Sequence, residues 1–286
     1  MNIAFVTYRG LNAIAPDDAL LAEVLRERGH QVEGVVWDDP AADWSHYDAI
    51  VIRSCWDYQY TPEKFVAWLD HLDAPNLRVF NPIPIVRWNH DKRYLRDLER
   101  HGIAIAPTYW CERNTTPNLH EILKSRNWQK AVVKPTISGT SMLTWTVSLE
   151  DRDTHDAQLA DLLTKRDMMI QQFVPEILEG EWSLAFFGRQ FSHAAIKRPA
   201  PGDFRVQDEH GGTWSQQPAP PELVAQARHV LDCVNSDLLY ARVDGIQRNR
   251  QFILMELEII EPMLYIGQNR TAAELFANEF LKRLSS

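Results

Sequence analysis

Near its start the chain alternates apolar strand segments with short helices, and this alternation restricts the fold more than any other feature. Residues 2–8 read as a buried strand. A helix follows from about Asp17 to Arg28, with Pro16 and Asp17 at its start and Gly29 past its end, the usual asymmetry of helix termini. Gln31 to Trp37 and Asp48 to Ser54 give two further strands, Thr61 to Leu72 a helix opening on Thr-Pro-Glu, and Arg78 to Asn81 a short fourth strand. Strands separated by helices favour a parallel sheet covered on its faces, with ligands beyond the carboxyl ends of the strands. Arg53-Ser-Cys-Trp-Asp-Tyr58 occupies such a position. The turn after the first strand holds one glycine, in Tyr8-Arg-Gly-Leu-Asn-Ala13, which disfavours a dinucleotide-binding fingerprint.

The 286 residues, 45% of them hydrophobic, suffice for roughly two domains at about 150 residues each. Asn81-Pro-Ile-Pro84 closes the alternating block, and a helix carrying Asp91, Lys92 and Arg93 opens the next, so the predicted domains are 1–85 and 86–286. Beyond Pro107 the pattern becomes a helix (117–126), strands 130–135 and 143–147, a helix (154–165) and strand 168–174, a compact α+β unit. Strands at 181–187, 190–198, 239–246 and 251–260 follow, with helices from Pro221 to Val234 and over 271–284. The last helix carries Leu275, Phe276, Phe280 and Leu284, a stripe expected to pack on the core, with homo-oligomerisation as its other use.

A net charge of −9 argues against a nucleic-acid partner, since phosphate backbones require cations in excess. Cys55, Cys111 and Cys233 are far apart and fit neither a disulfide framework nor a zinc site. The start shows no basic leader and no segment approaches a membrane span, so a soluble cytoplasmic protein is expected.

The segment Leu239-Tyr-Ala-Arg-Val-Asp244, a polar turn at Gln247 to Arg250, and Phe252-Ile-Leu-Met-Glu256-Leu-Glu258 read as two joined strands. Alternation puts Arg242 with Asp244 on one side, and Glu256 with Glu258 on one side of the partner. Three carboxylates a few Å apart require protonation or a cation, and an oxygen-only set suits Mg²⁺ or Mn²⁺. An antiparallel hairpin with one solvated face would show the same pattern, so both readings stand on alternation alone.

Upstream, Val132-Val-Lys134-Pro135 ends an apolar strand just before Thr136-Ile-Ser138-Gly139-Thr140-Ser141, a small-residue loop able to cradle phosphate, or else an ordinary turn after a strand-end lysine. Gln172-Phe173-Val174 leads into an acidic turn ending at Glu181; such an edge can bond adenine, with a carboxylate beyond for ribose. Lys197 and Arg198, Gly202-Asp-Phe-Arg205 and His210-Gly-Gly212 cluster cations and flexible backbone within an acidic protein. Arg205 suits an anionic transferring group, while His193 and His210 read more simply as structural or surface residues than as proton carriers.

In this order, Asp91-Lys92, Val133-Lys134-Pro135, Gln171-Gln-Phe-Val-Pro-Glu176, Gly202-Asp-Phe-Arg205, Arg242-Val-Asp244 and Glu256-Leu-Glu258 resemble the ATP-grasp superfamily, in its glutathione-synthetase-like branch. The resemblance covers residues 85–262, and Arg53-Ser-Cys-Trp-Asp-Tyr58, Arg87-Trp-Asn-His-Asp-Lys92 and Glu258-Ile-Ile-Glu261-Pro262 look most like the group containing the D-cycloserine-forming cyclo-ligase. It implies an ATP-grasp fold, two α+β subdomains clasping ATP, behind a small parallel-sheet α/β domain that carries substrate; residues 108–175 would be the ATP-clasping lid and 176–286 the metal and catalytic subdomain.

By the same resemblance Lys92, Lys134, Ser138 and Gly139 hold nucleotide phosphates, Gln172, Phe173 and Val174 the adenine, and Glu181 the ribose. Arg205 meets the transferring phosphate, Lys197 and Arg242 the oxyanion or substrate carboxylate, and Asp244, Glu256 and Glu258 two Mg²⁺ ions, with Mn²⁺ as the alternative. Arg53, Trp56 and Asp57 are the expected contacts of a small amino-acid-like substrate. Two departures are the single glycine of the phosphate loop and Glu258, where many relatives carry Asn. The implied chemistry is ADP-forming carboxylate–amine or cyclo-ligation through an acyl phosphate; a small-molecule kinase on the same scaffold and a non-catalytic nucleotide-binding module are the alternatives.

Overall fold

The computed structural model describes residues 1–11, 13–150 and 155–285. Four parallel strands, β1 (Asn2–Thr7), β2 (Gln31–Val36), β3 (Ala49–Ser54) and β4 (Val79–Phe80), form a first sheet in the order β2-β1-β3-β4. Helices α1 (Ala19–Glu27) and α2 (Pro62–Leu72) connect them. The central strands β1 and β3 are apolar on both faces because helices cover both, as a parallel sheet demands.

Between this sheet and the next lie α3 (Ile83–Asn89) and α4 (Tyr94–Arg100). The helix expected through Asp91, Lys92 and Arg93 is instead a turn between these two. Asp91 caps it through the backbone N–H of Arg93, and the N–H of Lys92 donates to the Thr136 carbonyl at 2.8 Å.

A second, antiparallel sheet has the order β5-β8-β6-β7, built from β5 (Thr108–Cys111), β6 (Lys130–Pro135), β7 (Trp145–Ser148) and β8 (Met168–Gln172). Helices α5 (Leu119–Ser125) and α6 (Asp156–Leu163) pack on it around Leu123, Val133, Leu159 and Ile170. The expected start of the second helix at residue 154 lies outside the described residues.

The third sheet, order β11-β10-β9-β12-β13, is antiparallel throughout: β9 (Glu181–Phe187), β10 (Gln190–Arg198), β11 (Thr213–Gln216), β12 (Tyr240–Arg248) and β13 (Gln251–Glu258). Helix α7 (Pro221–Asp232) contributes Leu223, Ala227 and Val230 to a core with Leu184, Val243 and Leu254. Helix α8 (Arg270–Leu284) lies between this sheet and the first: Phe276 and Phe280 are fully buried among Leu21, Leu25, Phe187 and Tyr240. Core packing was the expected use of the stripe, although Leu275 is exposed.

Strands β12 and β13 meet at a two-residue turn with Asn249 and Arg250 both at positive φ, the backbone that joins hairpin strands of natural twist. No described helix is long and apolar enough to cross a membrane.

Candidate active site

The three sheets surround a cavity of about 500 Å³. Of the predicted site residues, Trp56, Asp57, Lys92, Lys134, Ser138, Gly139, Gln172, Phe173, Val174, Glu181, Lys197, Arg205, Arg242, Glu256 and Glu258 all line it. Arg53 and Asp244 do not.

Cations enter from the second and third sheets, from the turn before α4 and from the loop carrying Arg205. Lys134 stands at the end of β6, and Lys92 reaches the same region from the turn before α4, where its ammonium donates to the Ser138 carbonyl and meets Glu256 Oε1 at 3.1 Å. Burial pulls the Lys134 ammonium below its ordinary pKa, with Glu256 opposing that shift and Lys92 adding to it. Among the described residues the Lys134 ammonium makes neither a hydrogen bond nor an ion pair, which leaves it ready for an incoming anion. Arg205 grips its own neighbour Asp203 in a two-pronged contact, Nη2 to Oδ2 at 2.8 Å.

The hairpin sets the charges opposite one another. Arg242 pairs in register with Glu258, and Asp244 with Glu256. Lys197 Nζ on β10 bridges Glu181 Oε2 at 2.6 Å and Asp244 Oδ2 at 2.7 Å, and Arg242 binds both Asp244, at 2.8 Å, and Glu258. Burial alone would raise the Asp244 carboxyl, but Arg242 and Lys197 hold it near about 2. Burial raises Glu258 to about 7, with Asp244 and Glu256 adding to the shift against Arg242. Burial likewise raises Glu181, against Lys197.

Two placements depart from expectation. Arg53, expected to contact substrate, is 1% exposed and sits behind the cavity wall: it donates to Asp18 Oδ1 and to the Pro262 carbonyl, each at 2.9 Å, with its guanidinium over the Tyr240 ring. β3 ends at Ser54 as the sequence predicts, but it is buried along its whole length, so Arg53 belongs to the buried sheet and not to the loop beyond it. Asp244, expected as one of three metal ligands, is 1% exposed and turns its oxygens to Arg242 and Lys197. It is the interior member of the ladder, whereas Glu256 and Glu258 open to the cavity.

Among the described residues no group of three carboxylate, imidazole or thiol side chains is placed to hold a metal ion. The donor chemistry nevertheless fits Mg²⁺. That ion favours one or two carboxylates plus substrate phosphates over a full protein cage, and Glu256 and Glu258 are two carboxylates that the hairpin presents to the cavity.

Several lining residues were not singled out in the sequence. Alternation predicts that Met255 turns away from Glu256, but a bulge lets Gly245 pair with Leu254 while Asp244 pairs with Glu256, and Met255 joins Glu256 on the cavity side. Met255 forms an apolar slot with Phe173, Val174, Ile177 and Phe204. Tyr8, Trp214, Glu261 and Tyr265 line another part of the wall. Tyr265 sits at φ 58°, its ring 5.6 Å from the Arg242 guanidinium and 4.7 Å from Trp214. The signal available for these was the aromatic content of the loops, which does not by itself tell lining from core. His193 Nε2 donates to the Leu264 carbonyl at 2.7 Å, a structural contact.

With the geometry in place, comparison with known proteins identifies the class. The chain has the ATP-grasp fold and is an ATP-dependent ligase of the kind that forms a carbon–nitrogen bond. It is similar to the cycloserine biosynthesis protein DcsG of Streptomyces lavendulae, 29% identical with 92% of each chain covered. Residues 3–81 match the family of the D-cycloserine synthetase DcsG N-terminal domain. The crystal structure of D-cycloserine synthetase DcsG superposes with a TM-score of 0.89 at 26% identity, covering 99% of this chain and 100% of that one. D-alanine–D-alanine ligase from Bacillus anthracis shares the fold alone, with a TM-score of 0.71 at 13% identity, covering 99% of this chain and 98% of its own.

Proposed function

We propose that the protein is an ADP-forming ligase that activates the carboxylate of a small amino-acid-like substrate as an acyl phosphate and lets an amine displace the phosphate, within one molecule or between two. The observation that carries this reading is the meeting of Lys92 and Lys134, from separate elements, with the Glu256 and Glu258 face of the hairpin around one cavity.

Phosphoryl transfer asks chiefly for positioning and neutralisation of charge. Lys134, with its unmatched ammonium, and Lys92 would hold the nucleotide phosphates beside the Ser138–Gly139 loop. The backbone of Gln172–Val174 would meet adenine in the slot closed by Met255 and Ile177, with Glu181 toward the ribose. Arg205 would leave Asp203 for the transferring phosphoryl group, exchanging one anion for another. Arg242 and Lys197 would hold the substrate carboxylate and then the oxyanion, donors fixed before reaction by Asp244 and Glu181. Glu256 and Glu258 are the proposed metal ligands, and Asp244 joins them only by releasing Lys197 or Arg242. When bound there, Mg²⁺ would neutralise phosphate charge and orient the γ-phosphoryl group. Trp56 and Asp57 face the substrate side, although Asp57 also accepts from Trp37 Nε1 at 2.7 Å.

The test is ADP release from Mg²⁺-ATP over a panel of amino acids, dipeptides and ureido or aminooxy analogues, with hydroxylamine present. ADP that depends on one carboxylate, together with its hydroxamate, supports the reading; ADP without hydroxamate or amine consumption points to a kinase instead.

A further inference from the structure

The carboxylates around the cavity differ in one respect. Glu181 and Asp244 are matched by Lys197, Glu256 by Lys92 and Glu258 by Arg242, while Asp57 accepts from Trp37. Glu261 also lines the cavity, yet among the described residues its carboxylate has no hydrogen-bond or ion-pair partner. Asp208 and Glu209, the other acidic lining residues, are exposed on a loop and solvated.

The backbone around Glu261 is held firmly. Its own carbonyl accepts from Trp56 Nε1 at 2.9 Å, and the next carbonyl, Pro262, accepts from the buried Arg53 at 2.9 Å. The Trp56 ring in turn lies 6.1 Å from Tyr8, another wall of the cavity. Thus a carboxylate without a partner is carried into the cavity on a backbone held from both sides, on the same segment as Glu258. Such a group is costly to keep charged unless a cation arrives. The hairpin already offers Glu256 and Glu258 to a metal, and the Glu261 backbone is bonded to Trp56, one aromatic wall of the cavity, so the fitting cation is an ammonium carried on a small organic molecule.

We infer that Glu261 is the specificity-determining residue that receives the protonated amino group of the substrate, making the substrate class α-amino acids and their derivatives. This rests on the ligase reading above. It also accounts for why Arg53 is absent from the cavity: the guanidinium acts through Pro262 to place Glu261, and the substrate charge met at this wall is positive.

The experiment compares wild type with Glu261→Gln and Glu261→Asp, using α-amino acids of both hands and the matching α-hydroxy acids. Binding is measured by calorimetry in the presence of Mg²⁺ and a non-hydrolysable ATP analogue, alongside ADP release. Wild type should prefer the amino acid over its hydroxy counterpart by about 10- to 100-fold, the range for a charge-assisted hydrogen bond to a site that discriminates by it. E261Q should lose most of that preference, E261D should keep part of it, and affinity for the ATP analogue and the Mg²⁺ requirement should not move. An E261Q protein that keeps the preference overturns the inference, as does one whose Mg²⁺ requirement rises instead, which would make Glu261 a metal ligand. ADP release driven by carboxylic acids regardless of an amino group would overturn it while leaving the ligase standing; no ADP with any acid would overturn the ligase reading and this inference together.

Discussion

Asp244 and Glu256 face each other across the β12–β13 ladder, yet their carboxylates answer to different cations: Lys197 and Arg242 hold the first, Lys92 the second. The division follows from depth. Asp244 lies on a central strand between β9 and β13, while Glu256 lies on the edge strand beside the turn that carries Lys92.

Replacing Glu256 with Gln keeps the shape and removes the charge that meets both Lys92 and a metal. ADP-forming turnover should fall at least about 100-fold, the scale for losing a charge-stabilising group in a catalytic site, and excess Mg²⁺ should not restore it. Circular dichroism and thermal unfolding should stay near wild type. Full activity in this variant would remove Glu256 from the proposed metal site.

The burial of Asp18 sets the sign of a pH dependence in stability. Burial lifts its carboxyl from an ordinary 3.8 to about 6, although Arg53 pulls the other way. The folded form therefore holds the proton more tightly than the unfolded chain. Asp18's contribution to stability is complete below pH 4 and is lost as pH rises through 6. Relative to Asp18→Asn, wild type should lose on the order of 3 kcal/mol between pH 4 and pH 7, at 1.36 kcal/mol per unit. Urea unfolding of both proteins across this range measures it; parallel pH profiles would show that Asp18 ionises normally.

Asp17, next to it, acts on the cavity wall. Its carboxylate accepts the backbone N–H groups of Leu264 and Tyr265 on Oδ2, at 2.8 and 3.0 Å, and of Gly267 on Oδ1 at 3.1 Å. These bonds hold Tyr265 in its left-handed backbone with its ring over Arg242. Asp17→Asn exchanges charge-assisted acceptors for a neutral one and should cost about 2 kcal/mol in stability. It should also lower kcat more than it raises KM for ATP, because Arg242 loses its aromatic cover and the nucleotide slot is untouched. A KM effect confined to ATP would place the consequence elsewhere.

The parts of the molecule legible in the sequence are those governed by short-range pattern. The parallel sheet followed from strand–helix alternation, and the cavity-facing side of Glu256 and Glu258 from period two. The short strands β5 and β11 went unread because their strand form rests on pairing with β8 and β10 rather than on a pattern of their own. Arg53 was read as a substrate contact because its burial depends on Asp18, Tyr240 and Pro262, which are distant in the chain. Met255 was missed because a bulge shifts register by one residue at Asp244 and Gly245, where Gly245 lies against Phe252 and Ile253.

That last contact gives a sharp test of how the hairpin holds the site. A Cβ on Gly245 would lie 2.5 Å from the Ile253 carbonyl oxygen and 2.4 Å from Phe252 Cζ, so one neighbour is backbone that cannot turn aside. Gly245→Ala should cost about 1–3 kcal/mol as overpacking, and, by pushing β13 away, should disturb the bulge that aims Met255 and Glu256 into the cavity. Gly29→Ala is the control: Gly29 has φ 84° and open space around its Cβ position, so it carries only the backbone strain, about 1 kcal/mol, far from the cavity. Thermal unfolding should show both variants destabilised, whereas ADP release at a temperature where both are folded should fall only in Gly245→Ala. Equal activity in the two variants would mean that the bulge tolerates the extra methyl and that Glu256 keeps its aim without it.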